Sequence, residues 1–208
     1  MGPAVKSTFT VEDYLEHEKT SLVKHEYHEG EIFAIAGGTP RHSLLGANAV
    51  SELRVALRGK TCRAYNSDLQ VAMSRRKFVY PDASVVCNKL TTFPENPNAA
   101  NNPVLIVEVL SESTASYDRS GKFLRYCQMP DFREYVLIEQ DFPFVEVRTK
   151  LEDETWQIRI FGDLSDQITL QSIGVQVRMS DLYEGVDFGV RSTEEWFEKN
   201  PTGSEKKP

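Results

Sequence analysis

Apolar residues recur every three or four positions at Leu45, Ala49, Leu53 and Ala56, the stripe of a helix packed on one face. Gly37-Gly38-Thr39-Pro40 opens that helix at about residue 41 and Gly59 ends it. Earlier, Thr10 with Asp13 three positions on forms a cap signal before Tyr14 and Leu15, predicting a short first helix. Glu29-Gly30 sits between two runs able to form strands, which predicts a hairpin. Strand character then returns at Thr61–Tyr65, Leu69–Met73, Phe78–Val86 and Val104–Leu110. Apart from one glutamate the last is apolar on both faces, as a central strand would be. Residues 88–103, rich in Asn and Pro, predict a long loop. Ser113 or Thr114 can cap a second helix running to about Gln128, and Pro130 stops it. Glu134–Gln140 follows as a fourth core strand, so 104–139 has the strand–helix–strand form of a parallel crossover. Val145–Arg148 and Trp156–Phe161 flank an acidic turn as a hairpin, and Ile168–Val177 adds further strand. The pattern is mixed α/β, with helix, three strands, helix and strand in its middle and added β-strands at its flanks.

Composition narrows the class. With 208 residues, 40% hydrophobic and 26% charged, the chain is neither collagenous nor a coiled coil nor wholly disordered. We expect one domain over residues 1–191 and a polar, partly disordered tail over 192–208. No apolar run approaches the roughly 20 residues of a bilayer span, and no secretory signal is visible. Cys62, Cys87 and Cys127 are far apart and lack C-x-x-C spacing. They read as reduced thiols of a cytoplasmic protein, which excludes a disulfide scaffold and a zinc ribbon. Net charge is −7, yet residues 41–77 carry eight Lys or Arg against Glu52 and Asp68, a local balance of +6. Such a stretch is either a polyanion-facing patch or a solvated helix face and hairpin tip.

Nucleotide-binding glycine loops, the G-x-S-x-G elbow and H-E-x-x-H are all missing. His17, His25, His28 and His42 all precede the expected core, which weakens a multi-histidine metal cage there. Acid placed where acid is costly is the stronger signal. Glu108 interrupts Val104–Leu110, and a carboxylate in a central strand must be paired, metal-bound or neutralised. A structural salt bridge to an Arg, or a place at the strand's wet end, would also account for it. Asp82 follows Pro81, which is poor in a central strand and implies a bend. On neighbouring strands, Asp82 and Glu108 could share one hard divalent cation. Lys122, in the following helix, can stabilise a charged phosphate or orient water; its bland alternative is a solvated lysine paired with Asp118 at i, i+4.

Tyr80-Pro81-Asp82, Val107-Glu108-Val109-Leu110-Ser111, Ser113-Thr114, Asp118, Lys122 and Tyr126 together resemble the Uma family, described as putative restriction endonucleases, in the PD-(D/E)xK nuclease superfamily. The resemblance runs from about Tyr14 to Asp187. It implies a restriction-endonuclease-like core, a mixed four-stranded sheet between helices. It also implies Mg²⁺, replaceable by Mn²⁺, and hydrolysis of DNA phosphodiester bonds. Asp82 and Glu108 would hold the metal, and Lys122 would complete the catalytic set, with His42 and Asp68 as additional candidates. In one respect the chain departs from the pattern: the superfamily lysine two residues after the strand glutamate is Leu110 here, and Lys122 is the candidate replacement. The competing reading is a catalytically degenerate member acting as a nucleic-acid-binding or assembly module. A homodimer is expected through the flanking strands, with Ile32, Phe33, Phe142, Phe144 and Trp156 as candidate contacts.

Overall fold

A computed structural model describes residues 8–188; the tail expected over 192–208 lies outside them. Helix α1 (Val11–Thr20) begins with the reciprocal cap read from sequence: Asp13 N–H donates to Thr10 Oγ1, and Thr10 N–H to the Asp13 carboxylate. Strands β1 (His25–His28) and β2 (Glu31–Ala34) form the expected hairpin. Its turn needs positive φ at both Glu29 (52°) and Gly30 (107°), the geometry that matches strand twist. Helix α2 (Pro40–Ala56) starts at Thr39, whose hydroxyl accepts the His42 N–H at 3.1 Å, with Pro40 in its first turn. Leu45, Ala49 and Leu53 form its buried stripe.

Next come β3 (Cys62–Asn66), β4 (Gln70–Ser74), β5 (Lys77–Val79), β6 (Ala83–Cys87), β7 (Thr92–Phe93), β8 (Asn96–Ala100) and β9 (Leu105–Leu110). A helical segment then runs through α3 (Ala115–Tyr117), a π-helical turn (Asp118–Lys122) and α4 (Phe123–Tyr126). The chain continues with β10 (Glu134–Glu139), β11 (Val145–Lys150), β12 (Trp156–Phe161), β13 (Gln167–Leu170), β14 (Val175–Arg178) and α5 (Met179–Leu182). One mixed sheet has the order β12-β11-β10-β9-β6-β3. Only its β9–β10 pair is parallel, with Glu108 beside Leu137. Helix α2, then β3, β6 and β9, the helical segment and β10 reproduce the expected core order. The second sheet has the order β2-β1-β5-β4-β8-β7.

Three expectations need correcting. Phe78–Val86 is two strands in different sheets, because Pro81 lacks an N–H and the chain crosses between sheets at 80–82. Residues 88–103 are not all loop: β7 and β8 complete the second sheet, and Asn96 is buried there by a 2.5 Å bond from its amide to Gln70 Oε1. Tertiary pairing overrides a composition poor in strand formers. Finally, Cys62 and Cys87 form a disulfide, and only Cys127 is a free thiol. The β3–β6 register sets those two residues directly opposite, a relationship that 25 residues of separation do not display.

The central strands of the first sheet, β6, β9 and β10, are buried on both faces. Leu45, Ala49 and Leu53 of α2, with the β13–β14 hairpin and α5, cover Val85, Leu105, Val107, Val109, Val136 and Ile138. On the opposite face Ile106, Leu110, Tyr135 and Leu137 pack with Tyr126, Met129, Phe132, and Val71 and Val79 of the second sheet. Alternation along β9 therefore turns Glu108 to the same side as Ile106 and Leu110.

Candidate active site

Asp82 lies at the crossing between the sheets, just before β6. Its Oδ2 accepts the Val109 N–H at 2.7 Å, so the carboxylate is clasped to β9 next to Glu108. Glu108 is 4% exposed within a strand whose six residues are all buried. Its Oε1 receives two donors: Lys122 Nζ at 2.7 Å and the Tyr126 hydroxyl at 3.1 Å. Lys122 is 7% exposed and stands 3.5 Å from Asp118 Oδ1. Asp118 and Lys122 bound the π-helical turn, a widening of the helix often found at functional sites. The helix expected from sequence is present, but this irregularity in it has no sequence signal we can name.

Asp82, Glu108, Asp118 and Lys122 line a cleft of about 460 Å³, with Glu26, His42, Tyr80 and Tyr117 in its walls. His42 Nε2 lies 3.5 Å from Asp82 Oδ2. Gly38 makes that placement possible, since a Cβ there would fall 2.7 Å from His42 Nδ1. Glu26 accepts the Tyr80 N–H at 3.1 Å and bonds His28 Nε2 at 2.9 Å, tying β1 to the crossing that carries Asp82.

The cleft is rich in acid. Burial pushes the Glu108 carboxyl up to about 8; Asp118 and Asp82 push the same way, and Lys122 opposes them. Burial likewise raises Asp82 against the opposing pull of His42, the Val109 N–H and Lys122. For Lys122, burial disfavours the charge, but Glu108, Glu26 and Asp118 outweigh it and hold the ammonium above the ordinary lysine value. Carboxylates crowded around one ammonium are the charge balance that a further cation would relieve. The donors are hard oxygens, which suits Mg²⁺ or Mn²⁺ rather than a soft ion.

Of the residues singled out from sequence, Asp82, Glu108, Lys122 and His42 meet in this cleft. Asp68 does not. It sits exposed in the β3–β4 turn, bonded to Lys24 at 2.5 Å and to the Asn66 amide at 3.0 Å. Glu26 was missed, because one acid in a short polar strand gives no sign of burial. Nor do the basic residues of 41–77 line the cleft. Lys77 is buried with its ammonium on the Tyr117 hydroxyl, Lys60 and Arg76 bond the carbonyls of Gly174 and Glu29, and Arg41 pairs with Asp141.

The fold is nuclease-like. It matches the crystal structure of "a putative nuclease belonging to DUF820" from Anabaena variabilis with a TM-score of 0.68, at 18% identity, over 84% of this chain and 97% of that one. Family membership comes from sequence: residues 11–180 match the model of Uma2, "Putative restriction endonuclease", and the chain belongs to that family. It is 34% identical over 182 residues to the uncharacterized protein slr1290 of Synechocystis sp., covering 85% of this chain and 92% of that one. A second Synechocystis protein, the uncharacterized sll1609, is 32% identical over 157 residues, covering 75% and 89%. Among the described residues, no helix is long and apolar enough to cross a membrane.

Proposed function

We propose that this chain is a divalent-metal-dependent endonuclease that hydrolyses DNA phosphodiester bonds in the Asp82–Glu108 cleft. The observation that carries the reading is the Lys122–Glu108 contact of 2.7 Å, which brings an ammonium to the strand glutamate although Leu110 occupies the usual lysine position. Asp82 and Glu108 would hold Mg²⁺, or Mn²⁺ in its place. Bound there, the ion would polarise the phosphate and make an attacking water more acidic. Lys122, itself buried, sets a fixed positive charge where the phosphate gains negative charge. His42 and the Val109 N–H hold Asp82 in orientation, and Glu26 anchors the crossing on which Asp82 sits.

One observation favours the degenerate reading instead. Lys122 already bonds Glu108 directly, so the contact could stand as a buried structural pair in a binding module. Two measurements separate the readings. Calorimetry should show Mn²⁺ binding that Asp82→Asn abolishes, and supercoiled plasmid should be nicked with Mg²⁺ or Mn²⁺ but not by Glu108→Gln. Metal binding without nicking under any salt condition would leave the binding module. We also infer a homodimer, since cutting both strands of a duplex needs two sites and a two-fold pair is the commonest way to place them.

A further inference from the structure

A second cluster of metal-binding side chains lies away from the residues that line the cleft, where α1 meets β1. His17 and Glu18 are adjacent near the end of α1, and His25 opens β1 after a short reversal. Ring nitrogen Nε2 of His17 lies 3.5 Å from Nε2 of His25. The other ring nitrogen of His25, Nδ1, is 2.7 Å from Glu18 Oε1, and the His25 N–H reaches Glu18 Oε2 at 3.3 Å. One ligand atom from each of the three side chains falls within 4.8 Å of the other two. His25 is buried at 9% exposure, whereas His17 is open to solvent.

We infer that His17 and His25 form a Zn²⁺ site, with Glu18 as the carboxylate that orients His25. The geometry is specific. Glu18 accepts the Nδ1 proton, so a neutral His25 presents the lone pair of Nε2 to His17. Zinc–nitrogen bonds of about 2.0–2.1 Å at a tetrahedral angle set two nitrogens roughly 3.3–3.4 Å apart, so both rings are nearly in place already. A carboxylate on the far nitrogen of a ligating histidine is the usual outer-shell partner, fixing its tautomer and raising its basicity. The exposed side of His17 gives the ion an entry path and leaves its remaining positions to water. Imidazole pairs select Zn²⁺ over Mg²⁺, so this site is chemically distinct from the all-oxygen cleft. It would staple α1 to the strand whose next residue, Glu26, lines the cleft.

The test uses the untagged full chain, stripped with chelator and titrated calorimetrically with ZnCl₂ in excess Mg²⁺. One equivalent should bind, and the thermal midpoint should rise with it. Asp82→Asn should bind Zn²⁺ as the wild type does. Glu18→Gln should weaken binding about 10- to 100-fold, and His17→Ala at least as much. His17 is exposed, so its loss should leave the fold and the zinc-free melting point near those of the wild type. Zinc binding unchanged in His17→Ala, or lost in Asp82→Asn, would overturn the assignment. Absence of any zinc binding would do the same, leaving the two rings to share a proton.

Discussion

Lys122 Nζ stands 2.7 Å from Glu108 Oε1 although the two residues belong to different elements, a π-helical turn and a central strand. Leu110, two residues after Glu108 on the same strand, faces the same side but is buried among Tyr126, Phe132 and Tyr135. The helical segment that crosses back over the sheet delivers to Glu108 the ammonium that the strand, with Leu110 in the aromatic cluster, does not supply. Charge at a point in space, not a position in sequence, is what the chemistry needs.

Lys122→Ala should therefore lower nicking by about 100-fold or more, the usual consequence of removing a charge-stabilising donor. Mn²⁺ affinity should persist or rise, because the direct competitor for Glu108 is gone. Stability should fall, by at most about 3–5 kcal/mol, through loss of a buried partner. Urea denaturation beside metal calorimetry checks both halves. Nicking unchanged in Lys122→Ala would remove Lys122 from the mechanism.

Acidity of the cleft gives a signed pH dependence. The Glu108 carboxyl is pushed up to about 8, above its ordinary 4.5, so between these values the folded chain holds a proton that the unfolded chain has released. Its contribution to stability is fully present below about pH 4.5 and is lost as pH rises through 8. Metal-free protein should show falling urea midpoints over that window, and Glu108→Gln should flatten the decline. Mn²⁺, which takes the ionised carboxylate, should bind more tightly as pH rises.

Gly38 offers a test of His42 from outside the cleft's charged set. An added Cβ would meet the His42 ring at 2.7 Å, and φ at Gly38 is not in the left-handed region, so the backbone itself would accept alanine. Gly38→Ala should displace His42 from Asp82 and cut nicking about 10- to 100-fold, as small misplacements do. The change in folding free energy should stay within about 1 kcal/mol. Equal losses in Gly38→Ala and His42→Ala, measured on plasmid, would mark ring position as the cause. Full activity in both would assign His42 to α2 packing alone.

Much of the core was legible because local signals and tertiary structure agree. The Thr10–Asp13 cap, the Glu29–Gly30 turn and the Leu45–Ala49–Leu53 stripe all specify their elements through short-range physics. Glu108 stood out because a lone acid in Val104–Leu110 conflicts with its surroundings, and Pro81 marked the bend that places Asp82. Long-range pairing hid the rest. Asn96 enters a strand through Gln70, Cys62 meets Cys87 through register, and Glu26 reaches the cleft because β1 joins a second sheet. Asp68 shows the converse: an acid beside a turn fitted the pattern, and the fold sets it outside the cleft, on Lys24 and Asn66.

The structure narrows where a second copy would sit. Phe142 is buried, Trp156 is half-buried against Phe123 and Phe132, and Phe33 belongs to the cleft rim. Strand β12 remains. It is an edge of the first sheet, and Ile158 and Ile160 on one of its faces are 56% and 61% exposed. A bare edge with exposed branched apolar side chains invites pairing with another strand unless charge or cover prevents it. Two copies joined edge to edge at β12 would continue the sheet and leave both clefts open. Light scattering at tens of micromolar protein should give twice the 23.6 kDa chain mass. Ile158→Lys with Ile160→Lys should return the mass to one chain, with little change in the monomer's core. A wild-type mass of 23.6 kDa at that concentration would rule the pairing out and leave single-strand nicking as the expected product.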